Sequence, residues 1–211
     1  MPGAGKTIMT SIVVNHLHTT FRNNPTVGIA YLYCNFRRQH EQKAANLLLS
    51  LLKQLVQGQA LMPGSVKNLY THHIKERTRP LFDDISRALH SVVANYSRTF
   101  IVVDALDECP LFDGHRRKFL REIFDLQTKT AANIFATSRF IPEIEEDFKG
   151  GVSLEVRASN EDVKRYLHGH LLQLPSFVLN NSILQEEIQT AITNAVAGMY
   201  GLPGNIEDQL N

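Results

Sequence analysis

Residues 100–108 read FIVVDALDE: four apolar residues, then Asp104, then Asp107 and Glu108. The run from 99 to 106 has hardly any polar alternation, the pattern of a strand buried on both faces of a parallel sheet. An acidic residue closing such a strand is costly unless it is paired or meets a cation. Asp104 is therefore expected to hold Mg²⁺ through water. Glu108, just beyond the strand, suits a general base that polarises an attacking water, and Asp107 suits a residue that assists the metal or orients the loop. A strand ending in a solvated acidic turn explains one carboxylate but poorly explains three in this arrangement.

Outward from this stretch, three further runs rich in β-branched and aromatic residues read as strands: TVGIAYLYCNF (26–36), NIFATS (133–138) and VSLEV (152–156). Helical patterns lie between them. KTIMTSIVVNHLHTTF begins at Lys6. EQKAANLLLSLLKQLVQ puts Leu48, Leu51, Leu52, Leu55 and Val56 on one face. LFDDISRALHSVVANY and HRRKFLREIFDLQ behave alike. Strands alternating with helices imply right-handed crossovers and an α/β fold, a parallel sheet flanked by helices. From about residue 159 the pattern is all helical, with Leu184, Ile188, Ala191, Ile192 and Ala195 in one stripe. The expected organisation is a core over 1–158 and a partial helical subdomain over 159–211.

A phosphate partner for the carboxylates stands at the other end of the chain. Gly3-Ala4-Gly5-Lys6-Thr7 lacks only the first glycine of the pattern G-x-x-x-x-G-K-S/T. Glycines let successive N–H groups face one point, and the helix that follows adds its positive end. Lys6 would reach the β- and γ-phosphates and the Thr7 hydroxyl would ligate Mg²⁺. The third piece is NIFATSR, whose Thr137, Ser138 and Arg139 bring hydroxyls and a cation to the carboxyl edge of the sheet, where α/β ligands bind. Arg139 is expected to read the γ-phosphate through a charge-assisted contact.

Composition narrows the alternatives. The 211 residues carry a formal net charge of +1, which gives no bulk electrostatic case for nucleic acid or an anionic membrane. FRR (36–38), KERTR (75–79) and HRRK (115–118) read as solvated surface, although Arg37 and Arg38 follow a strand at the ligand edge. No apolar run has the length of a membrane span. His72 and His73 are adjacent and the histidines of HGH (168–170) stand at i, i+2, so neither pair converges on one helix face. Cys34 and Cys109 fall at neighbouring strand ends, and the reducing cytoplasm expected for this chain favours free thiols.

Taken in order, GAGKT, YLYCNFRRQHEQ, RTRPLFDDISRAL, FIVVDALDEC and IFATSR resemble the signalling P-loop NTPases of the NACHT type. The likeness is greatest to the nephrocystin-3-like amino-terminal domain of fungal receptor-like proteins with ankyrin repeats. It implies a module that binds ATP or GTP with Mg²⁺, hydrolyses it slowly, and self-associates or acts with effector and repeat domains. By residue it implies phosphate binding at Gly3, Ala4, Gly5, Lys6 and Thr7, magnesium at Thr7 and Asp104, catalysis at Glu108 with Asp107, and γ-phosphate sensing at Arg139. In such proteins a hydrophobic strand precedes the loop and lies between the counterparts of 133–138 and 152–156; no such strand precedes Gly3. The resemblance therefore also implies a chain truncated at both ends. Its alternative role is a non-catalytic remnant or interaction fragment. GLP (201–203) is similar to a G-x-P element that contacts adenine in related switches, but chance explains it better.

Overall fold

The computed structural model describes residues 5–110, 114–156, 161, 165, 169–170 and 175–200. It divides into two compact units, 1–153 and 154–211. In the first, α1 (Lys6–Thr20) leads to β1 (Val27–Tyr33), a 3₁₀ segment (Phe36–Glu41), α2 (Ala44–Gln57), α3 (Gly64–Glu76) and α4 (Phe82–Val93). Then come β2 (Arg98–Asp104), a 3₁₀ turn (Leu106–Glu108), α5 (His115–Lys129), β3 (Ala132–Ala136) and α6 (Pro142–Asp147). The second unit contains α7 (Ser176–Leu179) and α8 (Ser182–Tyr200).

The three strands form a parallel sheet in the order β1-β2-β3, with β2 between its neighbours. The apolar run 100–103 is central because only a strand covered on both faces and both edges tolerates so little polarity. Ala30, Leu32, Ile101 and Val103 face one way and join Leu48, Leu51, Leu55, Ile85, Leu89, Phe119 and Ile123 in the core. Each such aliphatic side chain contributes roughly 1.5–3 kcal/mol by leaving water. On the opposite face α1 lies against the sheet: Phe21 stacks on Phe100 at 5.4 Å and His18 meets the edge of Tyr31 at 6.2 Å. Gly28 is required where α2 and the β2 approach crowd β1, since a Cβ there would meet Leu55 and Tyr96 side-chain atoms at 2.9 Å.

The expected fourth strand is not formed. Residues 152–156 form no strand and join no β-ladder among the described residues, and Val152 and Leu154 are exposed. The sequence reading placed this segment across an intervening strand from β3. Among the described residues no strand lies between the two, and the segment joins no ladder. Two helices had no clear apolar signature: α3 buries no residue fully, and α6 spans six residues started by Pro142. In the second unit α8 covers the expected 182–197 pattern, with Leu184 and Ile188 half-buried.

The outer edge of β1 is closed by side chains. Gln54 of α2 accepts the Tyr31 N–H at 3.0 Å and donates to the Tyr31 carbonyl at 2.8 Å. Gln42 does the same for Asn35, accepting its N–H at 2.9 Å and donating to its carbonyl at 2.5 Å. Each amide imitates one rung of a neighbouring strand, at Tyr31 within β1 and at Asn35 just past its end, and so leaves a second chain fewer open groups to pair with. We predict that Gln54→Ala lowers stability by about 1–3 kcal/mol, the cost of uncovering paired backbone groups, and adds concentration-dependent self-association. Urea unfolding and light scattering test this.

Candidate nucleotide site

The carboxyl ends of the strands and the amino end of α1 meet at Asp104. This carboxylate is 2% exposed and is held by three hydroxyls, two from α1 and one from the segment after β3. Thr7 donates to Oδ2 at 2.7 Å; Thr10 and Thr137 donate to Oδ1 at 2.7 and 2.6 Å. Thr137 also accepts the Ala105 N–H at 3.0 Å through its hydroxyl. That contact helps hold Ala105 in the left-handed region (φ 51°), where a non-glycine residue is strained. The turn reverses the chain after Asp104 and carries Asp107 and Glu108 back over the strand ends.

Gly5 starts α1 with φ 74°, a conformation glycine adopts without penalty. A Cβ built there meets nothing within 4 Å, so there is open space beside Gly5. No side chain caps α1 through Gly5, and its first turn holds no acidic residue. The first N–H groups of the fifteen-residue helix thus point at a place suited to an anion. Lys6 and Thr7 open the helix, while Gly3 and Ala4 lie outside the described residues, as do His168 and GLP (201–203).

Magnesium fits this donor set. Thr7 and Asp104 supply a hydroxyl and a carboxylate 2.7 Å apart, all-oxygen and hard, beside the open space at Gly5. A cation entering there would displace the Thr7 proton contact and keep both oxygens.

Glu108 and Asp107 part company. Glu108 is half-buried, and its Oε2 accepts the Phe36 N–H at 3.1 Å. It lines a groove of about 930 Å³ along with Thr7, Cys34, Arg37, Arg38 and Asp104. Arg38 pairs with Glu41 within the 3₁₀ segment, and Arg37 lies over the Phe36 ring. The Asp107 side chain is 1% exposed and takes the Arg139 N–H at 2.9 Å and its Nε at 2.5 Å. Burial pushes this carboxyl up, but the Arg139 backbone N–H, guanidinium contact and charge outweigh it and hold the carboxyl below the usual aspartate value. The same hydrogen bond raises Arg139, whose side chain is 50% exposed. Arg139, expected at the γ-phosphate, thus stands clamped to the 106–108 turn, and Asp107 orients that turn.

Sequence reading missed Thr10 and the Phe36 N–H. Thr10 lies one helical turn after Lys6, where a buried hydroxyl on an apolar face was the available signal. The Phe36 contact is backbone and leaves no side-chain signature. It also expected free thiols, whereas Cys34 and Cys109 are joined in a disulfide with Cα atoms 5.6 Å apart. The register that sets Tyr33 opposite Asp104, with the 106–108 turn, brings the two together. Away from the groove, His90, Glu122 and Asp125 converge between α4 and α5. Ser86 and Lys129 already occupy those carboxylates, at 2.5 and 2.7 Å.

The family model described as Nephrocystin 3, N-terminal, matches residues 1–139. The chain belongs to the nephrocystin 3 N-terminal family. Its match spans the loop, Asp104 and Arg139, so all the groups described above fall inside this nephrocystin 3 N-terminal region. No curated protein matches the chain. Among solved structures, that of a DNA replication initiation factor aligns over 95% of this chain at 12% identity and a TM-score of 0.29. The chain spans 64% of the length of that protein.

Thr137→Val removes the hydroxyl shared by Asp104 and the Ala105 N–H. Denaturant unfolding should show a loss of about 1–3 kcal/mol, whereas Ser138→Ala stays near wild type. Asp107 contributes stability that is complete above the ordinary aspartate value and fades as the pH falls below about 4. Asp107→Asn should therefore lower the unfolding midpoint at neutral pH and flatten its acid limb, so that the two proteins converge as the pH falls below about 4.

Proposed function

We propose that this chain is a nucleotide-binding switch module that takes ATP or GTP with Mg²⁺ and hydrolyses it slowly. The observation that carries this reading is the 2.7 Å contact of Thr7 with the buried Asp104, at the uncapped start of α1. A hydroxyl from the first turn of α1, a strand-end carboxylate and the helix amino end form one oxygen-rich place beside an open groove. Metal and triphosphate bind such places.

The α1 N–H groups and Lys6 would receive the β- and γ-phosphates. Thr7 and Asp104 would hold magnesium, which supplies charge neutralisation on the phosphate oxygens when bound. Glu108 would accept a proton from the water attacking the γ-phosphorus as the bond to the diphosphate oxygen breaks. Arg139 holds the turn through Asp107 and would respond to the γ-phosphate by leaving that partner. Family membership supports a signalling role in a receptor-like protein of the cytoplasm, with self-association or effector and repeat domains as partners. No described helix is long and apolar enough to cross a membrane.

A second reading, an interaction piece that does not bind nucleotide, is favoured by the outer edge of β3, against which no strand pairs among the described residues. Fluorescent-nucleotide titration separates the two. The switch predicts micromolar Mg²⁺-dependent binding, lost in Lys6→Ala. It predicts that Glu108→Gln binds normally and hydrolyses about a hundredfold more slowly or worse. No binding by the unaltered chain supports the interaction piece.

A further inference from the structure

Cys34 and Cys109 flank the catalytic carboxylate on both sides of its anchor. Cys34 follows β1 and donates its N–H to the Asp104 carbonyl at 3.1 Å. Asn35 comes next, clamped through its backbone by Gln42 and accepting the Arg37 N–H at 2.9 Å. Phe36 then donates its N–H to Glu108 at 3.1 Å. Glu108 is followed directly by Cys109, and the disulfide closes the path. Residues 34, 35, 36, 108 and 109 thus form one ring with a single non-covalent member, the Phe36–Glu108 hydrogen bond.

We propose that Cys34 and Cys109 form a reversible thiol–disulfide latch that keeps Glu108 on the Phe36 N–H, and that reduction releases the carboxylate toward the groove. The proposal rests on the nucleotide-hydrolysing reading for its consequence, though not for its chemistry. The Cα separation of 5.6 Å lies in the range a disulfide spans without backbone movement. Both cysteines are buried, Cys34 at 6% and Cys109 at 1% exposed, and Cys34 is the one that lines the groove, so exchange with an outside thiol starts at Cys34 once the groove wall opens.

The exchange balances with a glutathione-type couple. One cysteine thiolate attacks oxidised glutathione and expels a glutathione thiolate, giving a mixed disulfide. The second cysteine thiolate attacks the protein sulfur of that bond and expels the other glutathione. The protein gives up two electrons and two protons, and one glutathione disulfide becomes two thiols. Reduction runs the same steps backwards. With the bond open, the 34–36 corner is held to the 106–109 turn by hydrogen bonds alone, and Glu108 can leave Phe36.

The test uses the full chain equilibrated in oxidised and in reduced glutathione. Alkylation with intact mass counts the thiols, and amide hydrogen exchange reads Phe36. The latch predicts complete oxidation by glutathione disulfide and exchange at Phe36 about tenfold faster or more after reduction. Cys34→Ala and, independently, Cys109→Ala should exchange like the reduced chain in both buffers. Phosphate release with Mg²⁺-ATP should be faster in the reduced form. Thiols that fail to oxidise, or Phe36 exchange that is equal in the two forms, overturn the latch. Equal phosphate release alongside unequal exchange overturns control of Glu108. Exchange that follows redox state in a chain that binds no nucleotide upholds the latch as a structural device and removes the nucleotide reading instead.

Discussion

A carboxylate buried at the end of a central strand must be satisfied, and Asp104 is satisfied by three threonine hydroxyls. Leaving such a group unpaired costs several kcal/mol or forces protonation. This one requirement draws together α1, the end of β2 and the segment after β3. Thr7 and Thr10 bring the amino end of α1 over the strand ends. Thr137, just after β3, joins Asp104 and supports the left-handed turn at Ala105. The open space at Gly5 and the groove beside Glu108 follow from where those contacts place the backbone.

The turn after β2 shows how two adjacent acids acquire different work. Asp107 points inward to Arg139, and its charge is used to fix the turn. Glu108 points to the groove, with one oxygen on a backbone N–H and the other side of the carboxyl toward solvent-accessible space. One residue is locked by an ion pair with strong geometry, the other by a single neutral donor.

Much of this was legible in the residues. The unalternating run 100–103 predicted the central strand, and Thr7 and Asp104, read as partners, do meet at 2.7 Å. The long amphipathic helices α2, α4 and α5 followed from their three-and-four spacing. The failures have physical causes. The segment 152–156 has strand composition, but a strand exists only with a partner, and composition does not supply one. Helix α3 has no buried stripe to announce it. Arg139 reads as a free cation because pairing with Asp107 depends on a turn whose left-handed residue is an alanine, with no glycine to mark it. The glutamines that close the β1 edge, Gln42 and Gln54, look like ordinary polar positions on a helix and its approach.

The claim on which the rest stands is that Asp104 and Thr7 form the metal side of a nucleotide site. The most direct measurement is nucleotide affinity as a function of Mg²⁺ concentration, in the unaltered chain and in Asp104→Asn, with folding verified by circular dichroism. The account predicts that affinity rises steeply with Mg²⁺ in the unaltered chain and stays flat in the variant. A folded Asp104→Asn chain whose affinity still rises with Mg²⁺ as in the unaltered protein would contradict it.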